Sequence, residues 1–359
     1  MKFALHLPVN STSFGQVSIQ LLKEIYSLKL EPSLFMIGAP DFGQEEITED
    51  FKNWFNSCLK KGLRYHSRKD PIFKLWHING SLESYSDRQF LLTFHELDAL
   101  TQAEINILKN NDKVLVSSPY SVKVFNEHGV GNTSYLPLFF DAKNFKATNK
   151  TYFNDGRVTF NLCGKFEKRK HHVKAIRAWV NKYANNSNYS LQCALYNNFI
   201  SQEDNTKLIN MAVEGKKFFN VSFFGHMAQT NLYNEFLNSA DVILGASGGE
   251  GWALPEFQSV AIGKHSVIVN AHAYTAWAND KNSVMLQASG KTPAYDNMFF
   301  HEGQEFNQGN IFEWSEDAFI EGCEKAIARV KRSKVNQEGL KLQEQFTVKK
   351  TTEQILSLF

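Results

Sequence analysis

The chain has 359 residues, 43% of them hydrophobic and 21% charged, which is the composition of a folded protein long enough for two cores rather than of a disordered one. A formal net charge of +2 and a pI near 8.2 lack the strong basic excess with which a phosphate-tracking protein meets nucleic acid, so any anion site must be local. Cys58, Cys163, Cys193 and Cys323 are scattered without a CxxC or a Cys/His cluster, so neither a zinc site nor a disulfide framework is indicated, and the cytoplasm is the expected compartment.

In chain order, an apolar stretch broken by His6 and Pro8 reads as a first strand rather than a leader, and no run reaches the roughly 18 apolar residues of a membrane span. Strands are expected at 3–7, 33–37, 90–94, 113–116 and 134–138, and helices at 16–28, 97–108 and 121–128. That alternation marks βαβ units and a parallel sheet. Segment 51–69 carries six cations, Lys52, Lys60, Lys61, Arg64, Arg68 and Lys69, with Trp54, Phe55 and Leu59 and no acid. A solvated helix face is the first reading of it, and a weak peripheral contact with an anionic membrane the second.

The polar stretch 143–157 interrupts the pattern and is the expected linker, after which the alternation restarts. Strands are expected at 158–163, 190–195, 220–224, 241–244 and 266–269, with helices near 172–183, 206–214 and 232–239. Segment 279–314 reads as an irregular excursion, 316–334 as a charged helix and 346–359 as a last helix. The expected architecture is α/β: two Rossmann-like domains, 1–150 and 151–345, facing across a cleft, with the tail 346–359 following them.

Two segments carry chemistry. The first is 247–263, where the apolar run Val242, Ile243, Leu244 leads into a loop of small residues containing Ser247, Glu250, Gly251, Trp252, Ala253, Leu254 and Pro255, and then into a helical stretch with Gln258. A strand, a loop that admits close backbone approach and a helix start build ligand sites in open α/β sheets. The second is 161–172, where Gly164, Lys165, Lys168, Arg169 and Lys170 fall between a strand and a helix. That placement turns backbone N–H groups and several cations toward one point, and a diphosphate is the obvious occupant; read alone, the same residues are a solvated charge run. The turn Gly225, His226, Met227 after the strand at 220–224, the loop residue Gly15 and the strand-end histidine His95 are weaker signals, each more often structural. The remaining histidines lack metal spacing, and no metal is expected.

Together these segments resemble retaining glycosyltransferases of family 4, which have the GT-B fold. Ser247, Glu250, Gly251, Trp252, Leu254, Pro255 and Gly263 fall in register with that family's signature loop. Ala253 stands where the family has Gly, Gln258 where it has a second Glu, and Lys165 where it has Arg; Gly164 and Lys170 match. The resemblance implies a retaining, metal-independent sugar transfer from a nucleotide-diphosphate sugar to a glycan, lipid or small-molecule acceptor, with no further cofactor and no nucleic acid; it makes 1–150 the acceptor-side domain, 151–345 the nucleotide-sugar-binding domain and 346–359 a helix crossing back to the first domain. Lys165 and Lys170 would hold the diphosphate, and Glu250 would orient a sugar hydroxyl beside backbone groups of Gly251 to Leu254. Gln258 would face the ribose, His226 and Met227 the base, Gly15 the phosphate and His95 the sugar. The rivals are a non-catalytic nucleotide-sugar-binding protein of this fold, and a GT-B epimerase or phosphorylase. For these last two, neither a set of catalytic carboxylates nor a cofactor lysine can be picked out.

Overall fold

The computed structural model describes residues 2–43, 45–148, 156–227 and 229–359, which divide into two compact units. The first comprises Met1–Asp141, Gly303–Gln308 and Phe346–Phe359, and the second Ala142–Glu302 and Gly309–Gln345. Residues 149–155 of the expected linker lie outside the described residues.

In the first unit, short runs rich in Leu, Ile, Val and Phe make a parallel sheet whose central strands are buried on both faces. The strands are β1 (Ala4–Leu7), β2 (Ser33–Met36), β3 (Ile72–Leu75), β4 (Gln89–Thr93), β5 (Lys113–Val116) and β6 (Thr133–Tyr135), in the order β2-β1-β3-β4-β5-β6. The helices are α1 (Ser13–Ser27), α2 (Glu49–Tyr65), α3 (Gln102–Lys109) and α4 (Pro119–Glu127).

Three local details depart from the sequence reading, each for a visible reason. β3 is absent from it because Lys74 interrupts its apolar run; Lys74 is buried there, its ammonium held by the carbonyls of Gly80 and Glu83, the latter at 2.7 Å. α3 starts five residues later than expected, where Thr101 and Glu104 form a reciprocal capping box and leave 97–100 outside the helix, with Leu97 and Leu100 buried. β6 ends at Tyr135, two residues before Pro137, which has no N–H to continue the ladder. In α2, Phe51, Trp54, Phe55 and Cys58 face inward, and the Trp54 indole donates to Leu30 O at 2.9 Å. The apolar residues offered for a membrane contact at 51–69 are thus largely engaged within the unit.

The second unit repeats the plan. It contains β7 (Val158–Gly164), α5 (His172–Tyr183), β8 (Tyr189–Leu195), α6 (Gln202–Val213), β9 (Val221–Phe224), α7 (Thr230–Asn238), β10 (Val242–Gly245), α8 (Leu254–Ala261), β11 (His265–Val269) and β12 (Val284–Leu286). An antiparallel pair follows, β13 (Gly290–Pro293) and β14 (Asn310–Glu313), then α9 (Glu316–Arg332) and the short α10 (Gln337–Leu340) and α11 (Leu342–Gln345). The excursion expected at 279–314 thus carries β12 and this pair. The last helix, α12 (Val348–Leu356), belongs to the first unit, where Phe359 stacks on Phe3 at 4.6 Å and Phe140 N donates to Phe346 O at 2.9 Å.

The main sheet of the second unit is parallel, in the order β12-β11-β10-β7-β8-β9. From β7 the chain runs outward to β9 on one side, then returns and runs from β10 to β12 on the other. Strand order therefore reverses between β7 and β10, the kind of switch point outside whose strand carboxyl ends open α/β sheets bind ligands. Among the described residues no helix is long and apolar enough to cross a membrane.

Candidate functional site

The two segments singled out in the sequence leave β7 and β10 at that reversal. They meet through Glu250, which is 5% exposed. Lys170 Nζ lies 2.6 Å from its Oε1 and Arg169 Nη1 3.3 Å from its Oε2. Burial alone pushes the Glu250 carboxyl up, but Lys170 and Arg169 together outweigh it and hold the group well below the usual carboxylate range. Lys170 is correspondingly raised: burial disfavours its charge, and Glu250, with Glu256 and Glu167, more than restores it.

Backbone contacts fix this geometry. Gly248 N donates to Arg169 O at 2.9 Å, and Gly248 O accepts from Phe312 N at 2.8 Å. A Cβ at Gly248 would lie 2.5 Å from Phe312 O and 2.7 Å from the His171 ring, so only glycine lets the loop sit between them. Arg169 also donates to Gly249 O and, at 2.6 Å, to Glu167 Oε1. His272 Nε2 donates to Ser247 O at 2.9 Å and His171 Nε2 to Phe312 O at 2.8 Å. Burial keeps the neighbouring imidazoles neutral: His172 is pushed down to about 3, with Lys170 adding to the effect, and His272 to about 4.

Helices α5 and α8 begin at this edge, and neither has a side chain capping its first turn. Their leading N–H groups and dipoles add positive potential where Lys165, Arg169 and Lys170 already supply it. Among the described residues no group of three or more His, Cys, Asp or Glu side chains comes together as a metal cage.

The structure brings Gly164, Lys165, Lys170, Glu250, Gly251, Trp252, Ala253, Leu254 and Gln258 to one end of the second unit's sheet. Their situations differ. Lys165 Nζ lies 3.2 Å from Glu167 Oε2 and 3.8 Å from the centre of the Phe299 ring, with Phe199 beyond at 5.3 Å. Trp252 is buried, its ring against Phe257 and its carbonyl accepting from the Trp277 indole at 2.9 Å. Its side chain serves the core, which leaves only its backbone to a ligand. Gln258 is buried on α8, one turn beyond Leu254. His226 and Met227 stand at the same sheet edge but beyond β9, with β8 between them and β7, His226 exposed and Met227 half-buried.

Gly15 and His95 belong to the first unit. A Cβ at Gly15 would fall 2.1 Å from Asn10 O, so close packing in the first turn of α1 accounts for this glycine without a ligand. His95 is buried two residues past β4, its ring edge-on to Phe125 at 5.0 Å, and burial first, then His128, pushes it down to about 4. It is a neutral imidazole.

Two charged residues of this cluster were not chosen from the sequence. Arg169 was hidden inside the run 168–170, because matching by spacing selects positions 165 and 170, yet it restores a guanidinium beside Glu250. Glu256 is buried in the first turn of α8, two residues before Gln258, and no sequence pattern marks it. Lys168 donates to Pro293 O at 2.9 Å and Tyr295 O at 2.8 Å, tying the segment after β13 to the cation loop.

Ala253 occupies the left-handed region, φ 70° and ψ 66°, just before α8. A non-glycine residue held there costs about 1–2 kcal/mol. Ala253→Gly gives up one buried methyl and adds freedom to the unfolded chain, so the expected net gain is about 0.5–1 kcal/mol in denaturant unfolding. A loss of stability would show that the methyl packing outweighs the strain.

No protein-family model matches the chain, and no curated protein matches it. Solved structures do resemble it. Sucrose-phosphate synthase from Thermosynechococcus elongatus superposes with a TM-score of 0.71 at 12% identity, over 99% of this chain and 98% of that one. Anabaena HepE in complex with UDP-glucose gives 0.64 at 13% identity, over 100% and 99%. A glycosyltransferase from Rickettsia africae gives 0.65 at 12% identity, over 99% and 97%. At such identities the likeness is one of fold, and the chain shares the two-sheet α/β fold of these GT-B proteins.

Proposed function

We propose that this chain is a retaining glycosyltransferase that takes its sugar from a nucleotide-diphosphate sugar. The observation that carries the reading is the Lys170–Glu250 pair, buried at the reversal between β7 and β10, with Arg169, Lys165 and two uncapped helix starts around it. Such a pair holds both halves of the donor's chemistry: a cation for the diphosphate, and an ionised acid for a sugar hydroxyl. The occurrence of UDP-glucose with HepE, a protein of the same fold, supports a uridine nucleotide as the first donor to try.

In the proposed reaction the bond between the sugar's anomeric carbon and the β-phosphate oxygen breaks. The acceptor oxygen forms its bond to that carbon on the same face, and the acceptor's proton passes to the departing phosphate. No protein base is then required, and the protein acts by position and charge. Lys170, released by Glu250, meets the charge that builds on the leaving diphosphate, and Lys165 is exposed enough to join it. Glu250, still held by Arg169, accepts a hydrogen bond from a sugar hydroxyl, and Gln258 can serve the ribose with an acceptor and two donors.

The test is donor consumption across UDP-, GDP- and ADP-sugars, with the anomeric configuration of the product or of slow hydrolysis read by NMR. Net retention, unchanged by excess EDTA, is the expected result. Inversion would overturn the mechanism, and loss of activity in EDTA with recovery in manganese would show that these cations are not the main counter-charge. Gln258, an amide where the resembling family has an acid, favours a second reading, a binding protein without turnover. Tight donor binding with no consumption of any donor would select it.

A further inference from the structure

Helix α8 carries a third acid at this site that the Lys170–Glu250 pairing does not use. Glu256, in the first turn of α8, is 3% exposed. The Tyr274 hydroxyl donates to its Oε1 at 3.1 Å, while its Oε2 is buried without a hydrogen-bond partner. An ionised carboxylate so placed depends on a nearby cation, and the cation acting on Glu256 is Lys170, the same ammonium that Glu250 holds. The other ionisable groups facing Glu256 are Glu250 from the loop after β10, Tyr274 from the turn after β11, Cys163 from β7 and Tyr233 from α7. None of these four brings positive charge.

We infer that Glu256 is a positioning residue for Lys170, lying in the field of the ammonium that Glu250 pairs with in the free protein and taking up a proton when a diphosphate draws that charge away. The inference rests on the sugar-nucleotide reading of the site. When the negative charge of a diphosphate reaches Lys170, Glu250 keeps Arg169 at 3.3 Å, whereas Glu256 has no second cation and is the acid that must neutralise. In the free protein, burial pushes the Glu256 carboxyl up, Lys170 pulls it back and Glu250 adds to the rise, leaving it at about 7. The sign follows. A bound diphosphate raises Glu256 further, so the complex carries more protons than its parts, and donor affinity increases as pH falls through the neutral range.

Affinities of UDP-glucose, GDP-mannose and ADP-glucose, whose diphosphate diesters do not titrate near neutrality, would be measured by calorimetry between about pH 6 and 8.5. Buffers of different ionisation enthalpy count the protons. For whichever probe binds, wild type should lose about two- to tenfold in affinity from pH 7 to pH 8 and take up a fraction of a proton, since linkage allows at most about tenfold per pH unit. Glu256→Gln should flatten the profile to within about twofold and abolish the uptake. Tyr274→Phe removes the hydrogen bond that supports the ionised acid, so it should keep the uptake and move the profile to higher pH. Equal slopes in wild type and Glu256→Gln, or an unmoved profile in Tyr274→Phe, would overturn this inference alone. Binding of none of the three probes at any pH would overturn it together with the site's proposed function.

Discussion

Lys170→Ala is expected to weaken nucleotide-diphosphate binding by about ten- to a hundredfold, the loss of one charge-assisted phosphate contact worth about 1.5–3 kcal/mol. It should also destabilise the fold. Removing one partner of a buried ion pair typically costs about 3–5 kcal/mol, because the other charge stays buried. Here Arg169 remains 3.3 Å from Glu250, so the lower end of that range is expected. Binding must therefore be titrated well below the variant's unfolding midpoint. The control is Lys182→Ala, which removes an exposed cation from the last turn of α5 and should leave affinity within about twofold. Lys168→Ala is a poor control despite its neighbouring position, since it cuts the ties to Pro293 and Tyr295. Equal losses in the Lys170 and Lys182 variants would reduce the cation segment to general electrostatic attraction.

The second large effect is expected from Glu250→Gln, in turnover rather than in donor affinity. An ionised acid against the donor sugar can strengthen its hydrogen bond as positive charge develops on the ring, and an amide does this less well. A fall of about a hundredfold or more in kcat with KM nearly unchanged is the expected signature. The same substitution changes the pH dependence of stability. Glu250 has a depressed pKa in the folded protein, so its contribution is complete above its unfolded value near 4.5 and is lost as pH falls from there toward the folded value. Glu250→Gln should therefore be less stable at neutral pH and lose less on acidification than wild type. A rise in KM with kcat intact would place Glu250 in uniform donor binding instead.

Much of the second unit was legible because its strands announce themselves. Runs such as Val242–Gly245 and His265–Val269 sit between turn residues, and the Glu250 loop follows a strand end. What the sequence hid is long-range. Lys74 looks like an interruption and is a buried strand residue, because two carbonyls six and nine residues away receive its ammonium. Trp252 reads as an aromatic of the site loop, yet its ring packs against Phe257 in the core. Arg169 and Glu256 lie next to positions that the family resemblance selects, and only the pairing of β7 with β10, which brings their following loops together, places both beside the Lys170–Glu250 pair. Ala253 carries the reverse lesson: a glycine preference by resemblance is matched by a positive φ in the backbone.

The central claim, that the loops leaving β7 and β10 hold a nucleotide diphosphate, is tested most directly by thermal unfolding of the wild type with UDP, GDP, ADP and CMP. A ligand present at about 100 times its dissociation constant stabilises by about 2.7 kcal/mol, which raises the unfolding midpoint of a unit of this size by roughly 5–10 °C. At least one diphosphate should produce that shift and CMP should not. No shift with any of the four would contradict the account.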